Sequence, residues 1–141
     1  MNNIKNFIMI SPNFPMTYYK FAEALKNRGI RVIGIGDAFV HELDENLKIN
    51  LEEYIQCYSL FDTHELINIV GHLQNKYGQI DFLESNNEYW MENDSILREW
   101  FNISSGIYKS DILKYKAKSE MKKYFELAGV KVAKYALSDN Y

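Results

Sequence analysis

Residues 6–36 read NFIMI SPNFPMTYYK FAEALKNRGI RVIGIG, and the reading of this stretch decides the fold. The run 6–10 (NFIMI) is short, apolar and bounded by Ser11-Pro12-Asn13, as expected of a strand covered on both faces. Pro15 and Thr17 then lead into residues 18–28, where Tyr18, Phe21, Ala22 and Leu25 recur at helical spacing. Gly29 follows as a C-terminal stop, and residues 30–35 (IRVIGI) form a second apolar run. Two buried strands joined by a helix pair in parallel, because a parallel crossover needs such a connection.

The alternation continues outward. Residues 36–52 are polar and lack strong periodicity, and 54–58 is expected to be a third strand. Asp62 is a good N-cap with Glu65 in capping-box register. The helix it opens, 63–77, carries Leu66, Ile67, Ile69, Val70 and Leu73 and ends at Gly78. A fourth strand is expected over 80–83, a helix over 88–101, and a basic helix over 110–128 broken near Tyr115. A last strand is expected over 130–135. The pattern specifies an α/β fold: an open, doubly wound, mainly parallel sheet flanked by helices, in one domain over 1–141.

The chain has 141 residues, 47% hydrophobic and 25% charged, enough to bury a sizeable core and far from a disordered composition. A net charge of −3 argues for neither a nucleic-acid nor a membrane partner. No apolar run approaches the roughly 20 residues needed to span a bilayer. The lone Cys57, in the expected third strand, excludes an intramolecular disulfide and reads as a buried inert thiol, so a cytoplasmic location is expected. Charge is unevenly spread: residues 109–135 hold eight of the sixteen basic residues and three of the nineteen acidic ones, +5 against −8 elsewhere.

Several chemistries are excluded. The loop after the first strand has no glycine, so it cannot approach a pyrophosphate as a dinucleotide fingerprint does, and there is no Walker lysine loop. Gly34, Gly36 and Asp37 read better as a turn than as a ribose contact. His41, His64 and His72 lack ligand spacing, so no metal residue is assigned, and Ser104-Ser105-Gly106 lacks a nucleophile-elbow context. The segment Glu84-Ser85-Asn86-Asn87-Glu88 is richer, because it falls at the carboxyl ends of the strands, where open sheets bind ligands. By itself it reads better as a capped helix start, with Asn87 or Ser85 as N-cap and Glu88 favoured by the helix dipole.

Three stretches taken in order resemble the N-terminal (pre-ATP-grasp) domain of ATP-grasp carboxylate–amine ligases, the superfamily of biotin carboxylase and the carbamoyl phosphate synthetase large subunit. They are ISPNFP…FAEALKNRGIRVIGIGD, IDFLESNNEYWMENDSILREWFNISSG and YKAKSEMKKYFELAGVKVAKY, together nearly the whole chain. The resemblance implies that Lys118 reaches the nucleotide phosphates, as an ammonium on a flexible stem can. It puts Glu88 at the acidic position ending the fourth strand, facing the reaction centre. Ala117 stands where the family usually has Asp, which makes Lys116 a rival for the phosphate role.

In that superfamily the Gly-rich flap, the adenine-binding strand and the Mg²⁺ ligands lie C-terminal to this block. ATP and Mg²⁺ are therefore expected in a full-length protein, with the catalytic module following Tyr141 in cis or as a split subunit. The chain alone is expected to bind ATP weakly or not at all and to lack ligase activity. The implied substrate is a small-molecule carboxylate, and homodimer formation stays open. Two other readings remain: a stand-alone α/β module for binding or oligomerisation, and a small nucleotide- or sugar-phosphate-binding protein.

Overall fold

The apolar runs at residues 7–10 and 32–35 have nowhere to put two hydrophobic faces except between two layers of helices, and the sheet is built accordingly. In the computed structural model, which describes residues 4–136, the strands are β1 (Asn6–Ile10), β2 (Arg31–Gly36), β3 (Glu53–Gln56) and β4 (Phe82–Glu84). They lie in the order β3-β2-β1-β4, and every neighbouring pair is parallel. Helices α1 (Tyr19–Lys26) and α2 (Glu45–Lys48) cover one face, where Phe7, Met9, Val32, Ala22 and Leu47 share a core. Helices α3 (Thr63–Tyr77) and α4 (Met91–Trp100) cover the other, packing Leu66, Val70, Leu73 and Leu97 on Ile8, Ile33 and Leu83. Burial of each such side chain contributes about 1.5–3 kcal/mol. The order reverses between β1 and β4, so the crevice between the loops after these two strands is the topological switch point.

Local chemistry explains where the elements begin and end. Asp62 caps α3 as expected, its Oδ1 accepting from the N–H groups of His64 and Glu65 at 3.0 and 3.1 Å. Glu65 does not close a capping box; its carboxylate accepts instead from Tyr58 N (2.8 Å) and Ser59 N (3.2 Å), holding the loop before the helix. The segment 36–52 is not featureless: Leu43, Leu47 and Leu51, four residues apart, are all buried around α2, which Asp44 caps. Cys57 lies one residue beyond β3, although its N–H still donates to Gly36 O at 2.8 Å. Its thiol is buried, and desolvation, reinforced by Glu65 and Asp37, pushes its pKa to about 11.

The basic segment forms two helices, α5 (Ile112–Lys116) and α6 (Lys118–Leu127), with the break at Ala117, two residues later than expected. Gly129, at φ 75°, closes α6 in a Schellman turn: Val130 N donates to Phe125 O at 2.8 Å and Gly129 N to Glu126 O at 3.0 Å. The strand expected over 130–135 does not form. The apolar residues there are at the right spacing, but the segment pairs with neither edge of the sheet and Val130 stays 53% exposed. Among the described residues no helix is long and apolar enough to cross a membrane.

Candidate functional site

The carboxyl ends of the strands deliver four loops to one edge of the sheet, and the two flanking the switch point are tied together. Ser11 directly follows β1 and Asn86 lies in the loop after β4; both adopt left-handed backbone (φ 53° and 52°), uncommon for residues with a side chain. The Tyr18 hydroxyl donates to Asn86 O across the crevice.

Beneath the β4 loop lies a buried polar network that no sequence motif announces. Asp94 and Arg98, one turn apart on α4, are 1% and 3% exposed. Asp94 Oδ2 accepts from Ser85 N at 2.9 Å and from Ser85 Oγ at 2.6 Å. Arg98 donates Nε to Leu83 O (2.9 Å) and Nη1 to Ile107 O (3.0 Å), while its Nη2 pairs with Glu84 Oε1 at 2.6 Å. One guanidinium thus joins the end of β4 to the loop after α4. Gly106 permits this approach, because a Cβ there would lie 2.6 Å from Arg98 Cζ. Burial outweighs the Ser85 bonds and the Arg98 charge, and Asp94 is pushed up to about 6 from an ordinary 3.8. Its Oδ1 is buried without a partner among the described residues.

The acid that ends the fourth strand is Glu84, held by Arg98; Glu88 lies four residues further on, in the turn before α4. Neither Asn87 nor Ser85 caps α4. Its N-cap position is Trp90, without a side-chain bond, and Asn87 Oδ1 instead accepts from Tyr89 N at 2.9 Å within the preceding turn. The helix therefore begins at Met91, three residues later than expected, and the turn projects Glu88 from the edge.

Glu88 stands on the wall between two clefts. The first, about 650 Å³, is lined by Phe61, Tyr89, Trp90, Glu92 and Lys116 among others. The second, about 540 Å³, is lined by Lys118, Met121, Lys122, Phe125 and Lys131 among others. Glu88 and Lys118 therefore share the second cleft, while Lys116 belongs to the first. The two rival lysines differ in pairing. Lys116 Nζ is 3.0 Å from Glu92 Oε2, whereas Lys118 has no carboxylate within 4.0 Å among the described residues.

Lys118 opens α6, whose N-cap, Ala117, supplies no side-chain bond to the first amides. Two neighbouring basic residues have local partners: Lys123 pairs with Glu120 at 2.5 Å, and Lys122 Nζ sits 4.5 Å from the centre of the Tyr135 ring. Among the described residues no group of three or more His, Cys, Asp or Glu side chains is arranged to hold a metal.

No protein-family model and no curated protein matches the sequence. Among solved structures, the chain is similar to the crystal structure of L-amino acid ligase from Bacillus licheniformis, with a TM-score of 0.68 over 93% of this chain at 14% identity. The aligned part is 32% of that enzyme, so the chain spans about a third of its length. At this identity the likeness is one of fold, and the four-stranded parallel α/β architecture described above is a fold found within that ligase.

Proposed function

We propose that this chain is the N-terminal, pre-ATP-grasp domain of an ATP-grasp carboxylate–amine ligase. It contributes one wall of the ATP and substrate cleft and is inactive alone. The observation that carries the reading is that Glu88 and Lys118, which the family resemblance selects, line one cleft at the carboxyl edge of the sheet. The L-amino acid ligase neighbour, an ATP-grasp enzyme, supports that superfamily without favouring the carbamoyl phosphate synthetase branch. In this reading Lys118, without a carboxylate within 4.0 Å among the described residues and beside the uncapped amides of α6, is the residue that fits nucleotide phosphates. Lys116 is neutralised by Glu92 and is the weaker candidate. ATP would supply the phosphoryl group that activates a small carboxylate as an acyl phosphate. Mg²⁺ would be held by a C-terminal module, in cis or as a split subunit, in a cytoplasmic enzyme.

The test is reconstitution with the region encoded downstream, followed by an assay of ADP release with carboxylate and amine substrates. Lys118→Ala should lower turnover at least about tenfold, the order expected when a charge-assisted phosphate contact is lost. Unchanged turnover and ATP affinity in that variant would remove Lys118 from the site.

One observation favours the second reading, a binding or self-associating module. Leu113, Tyr115, Tyr124 and Phe125 on α5 and α6 are exposed, and α6 buries no residue. A monomeric chain in sedimentation at high concentration would leave that face to a partner module.

A further inference from the structure

The first cleft has a chemistry opposite to that of a phosphate site. Phe61, Tyr89 and Trp90 meet edge to face in all three combinations, with ring centroids 5.9, 5.0 and 4.8 Å apart. Trp90 also packs against the core, which anchors the cluster. Phe61 and Tyr89 are 67% and 62% exposed, so their rings are open to a ligand in the cleft. Two carboxylates, Glu88 and Glu92, share this cleft with the rings.

An ammonium group is already seated there. Lys116 Nζ lies 3.0 Å from Glu92 and lines the same cleft, so Glu92 has its cation. Glu88 has none within 4.0 Å among the described residues, and Lys118 faces it only from the second cleft. The lining therefore carries one uncompensated negative charge beside the faces of aromatic rings. Aromatic faces attract cations, and organic cations above others, because their apolar part also gains contact area.

We infer that this cleft is a binding site for an organic ammonium or guanidinium group, with Glu88 as its counter-ion and Phe61, Tyr89 and Trp90 as its walls. The inference rests on the ligase reading for its biological meaning: the ligand would be the amine-bearing substrate, held on the side of Glu88 away from Lys118. An ammonium and a guanidinium share this chemistry, and the choice of probe separates them. Phosphate and carboxylate groups are excluded from this side by the same charge.

The test is an NMR titration of the chain, following the indole N–H signals of Trp90 and Trp100, with butylammonium, butylguanidinium and tetramethylammonium as probes. Butanol and acetate serve as controls. Trp100 is not part of the cleft and reports non-specific effects. The expected result is a saturable shift of the Trp90 signal with one or more of the cations, in the millimolar range. Preference for butylguanidinium would point to a guanidinium ligand, and preference for butylammonium to an ammonium ligand.

Glu88→Gln should weaken binding by about threefold or more, the scale of an exposed ion pair. Lys116→Met should strengthen it by a similar factor, because the resident ammonium no longer competes. Neither residue is in the core, so circular dichroism should confirm folded variants.

Equal shifts with butanol or acetate, no saturable Trp90 shift, or binding unchanged in both variants would each overturn the inference. The ligase reading is judged separately by Lys118. A failed cation titration alongside a Lys118-dependent turnover would remove this cleft and leave the domain assignment standing.

Discussion

Asp94 gives the fold a pH dependence that can be isolated with one substitution. Its carboxyl is buried on α4 and titrates at about 6 instead of 3.8, chiefly because desolvation penalises the charged form. Between these two values the native state holds a proton that the unfolded chain has released. The contribution of this group to stability is therefore complete below about pH 3.8, declines as pH rises, and is lost above about 6. At about 1.36 kcal/mol per pH unit, that gap corresponds to about 3 kcal/mol.

Asparagine at this position keeps an acceptor for Ser85 but does not titrate. The stability of Asp94→Asn relative to the parent chain should therefore increase by about 3 kcal/mol on going from about pH 3.5 to about pH 7.5. The other carboxylates titrate alike in both proteins and cancel from the difference. Urea unfolding followed by tryptophan fluorescence at half-unit pH steps measures it. A difference that stays flat within about 0.5 kcal/mol would show that the Ser85 and Arg98 interactions fully offset burial, and the account of this network would fail. Arg98→Met, which removes the nearby positive charge, should move the Asp94 midpoint further upward in a carbon-detected NMR titration.

Two further outcomes test the structure around the site. Gly106→Ala forces a side chain onto a residue at φ 104° and into the Arg98 guanidinium, and should lower the unfolding free energy by about 2–3 kcal/mol in urea. A loss below about 0.5 kcal/mol would mean that the loop does not close on Arg98 as described. Cys57, buried and with its thiol raised to about 11, should resist Ellman's reagent at neutral pH in the native chain and react at once in denaturant. Rapid stoichiometric labelling without denaturant would contradict its burial.

The central strands β1 and β2 were legible because they are covered on both faces, so the runs FIMI and VIGI are without a polar side chain. The short helix α2 was not, since Leu43, Leu47 and Leu51 are set four apart in a mostly charged and amide stretch, and three such residues are too sparse a signal. The failed strand at 130–135 has a different cause. Alternation shows that a segment could pair, and only the tertiary arrangement supplies an edge for it to pair with.

The buried network escaped notice for a third reason. MENDSILREW looks like a solvated helix, yet Asp94 and Arg98 are buried, and the acceptors that make this tolerable, Leu83 O and Ile107 O, lie 15 and 9 residues from Arg98. The one local hint was an acid and an arginine at i, i+4 flanking the buried Leu97. Glu88 lies in the loop beyond the fourth strand, but the strand-end acid is Glu84, and which of two glutamates ends a three-residue strand depends on a boundary that sequence does not define.

The separation of those two glutamates gives the edge its division of labour. Glu84 pairs with Arg98 and fixes the loop; Glu88, released by the turn that delays α4, has no cation within 4.0 Å among the described residues. On one side of it the lining is basic, with Lys118, Lys122 and Lys131; on the other it is aromatic, with Glu92 already holding Lys116. A phosphate and an organic cation would thus be sorted to opposite sides of one side chain by charge alone. A ligase that joins a phosphorylated carboxylate to an amine has to bring these two kinds of group together without letting either occupy the place of the other. The uneven charge of residues 109–135 supplies the basic side, while the acid of the opposite side comes from the β4–α4 turn. Reversing the charge of Glu88 should therefore disturb both clefts, whereas reversing that of Lys118 should leave the aromatic one intact.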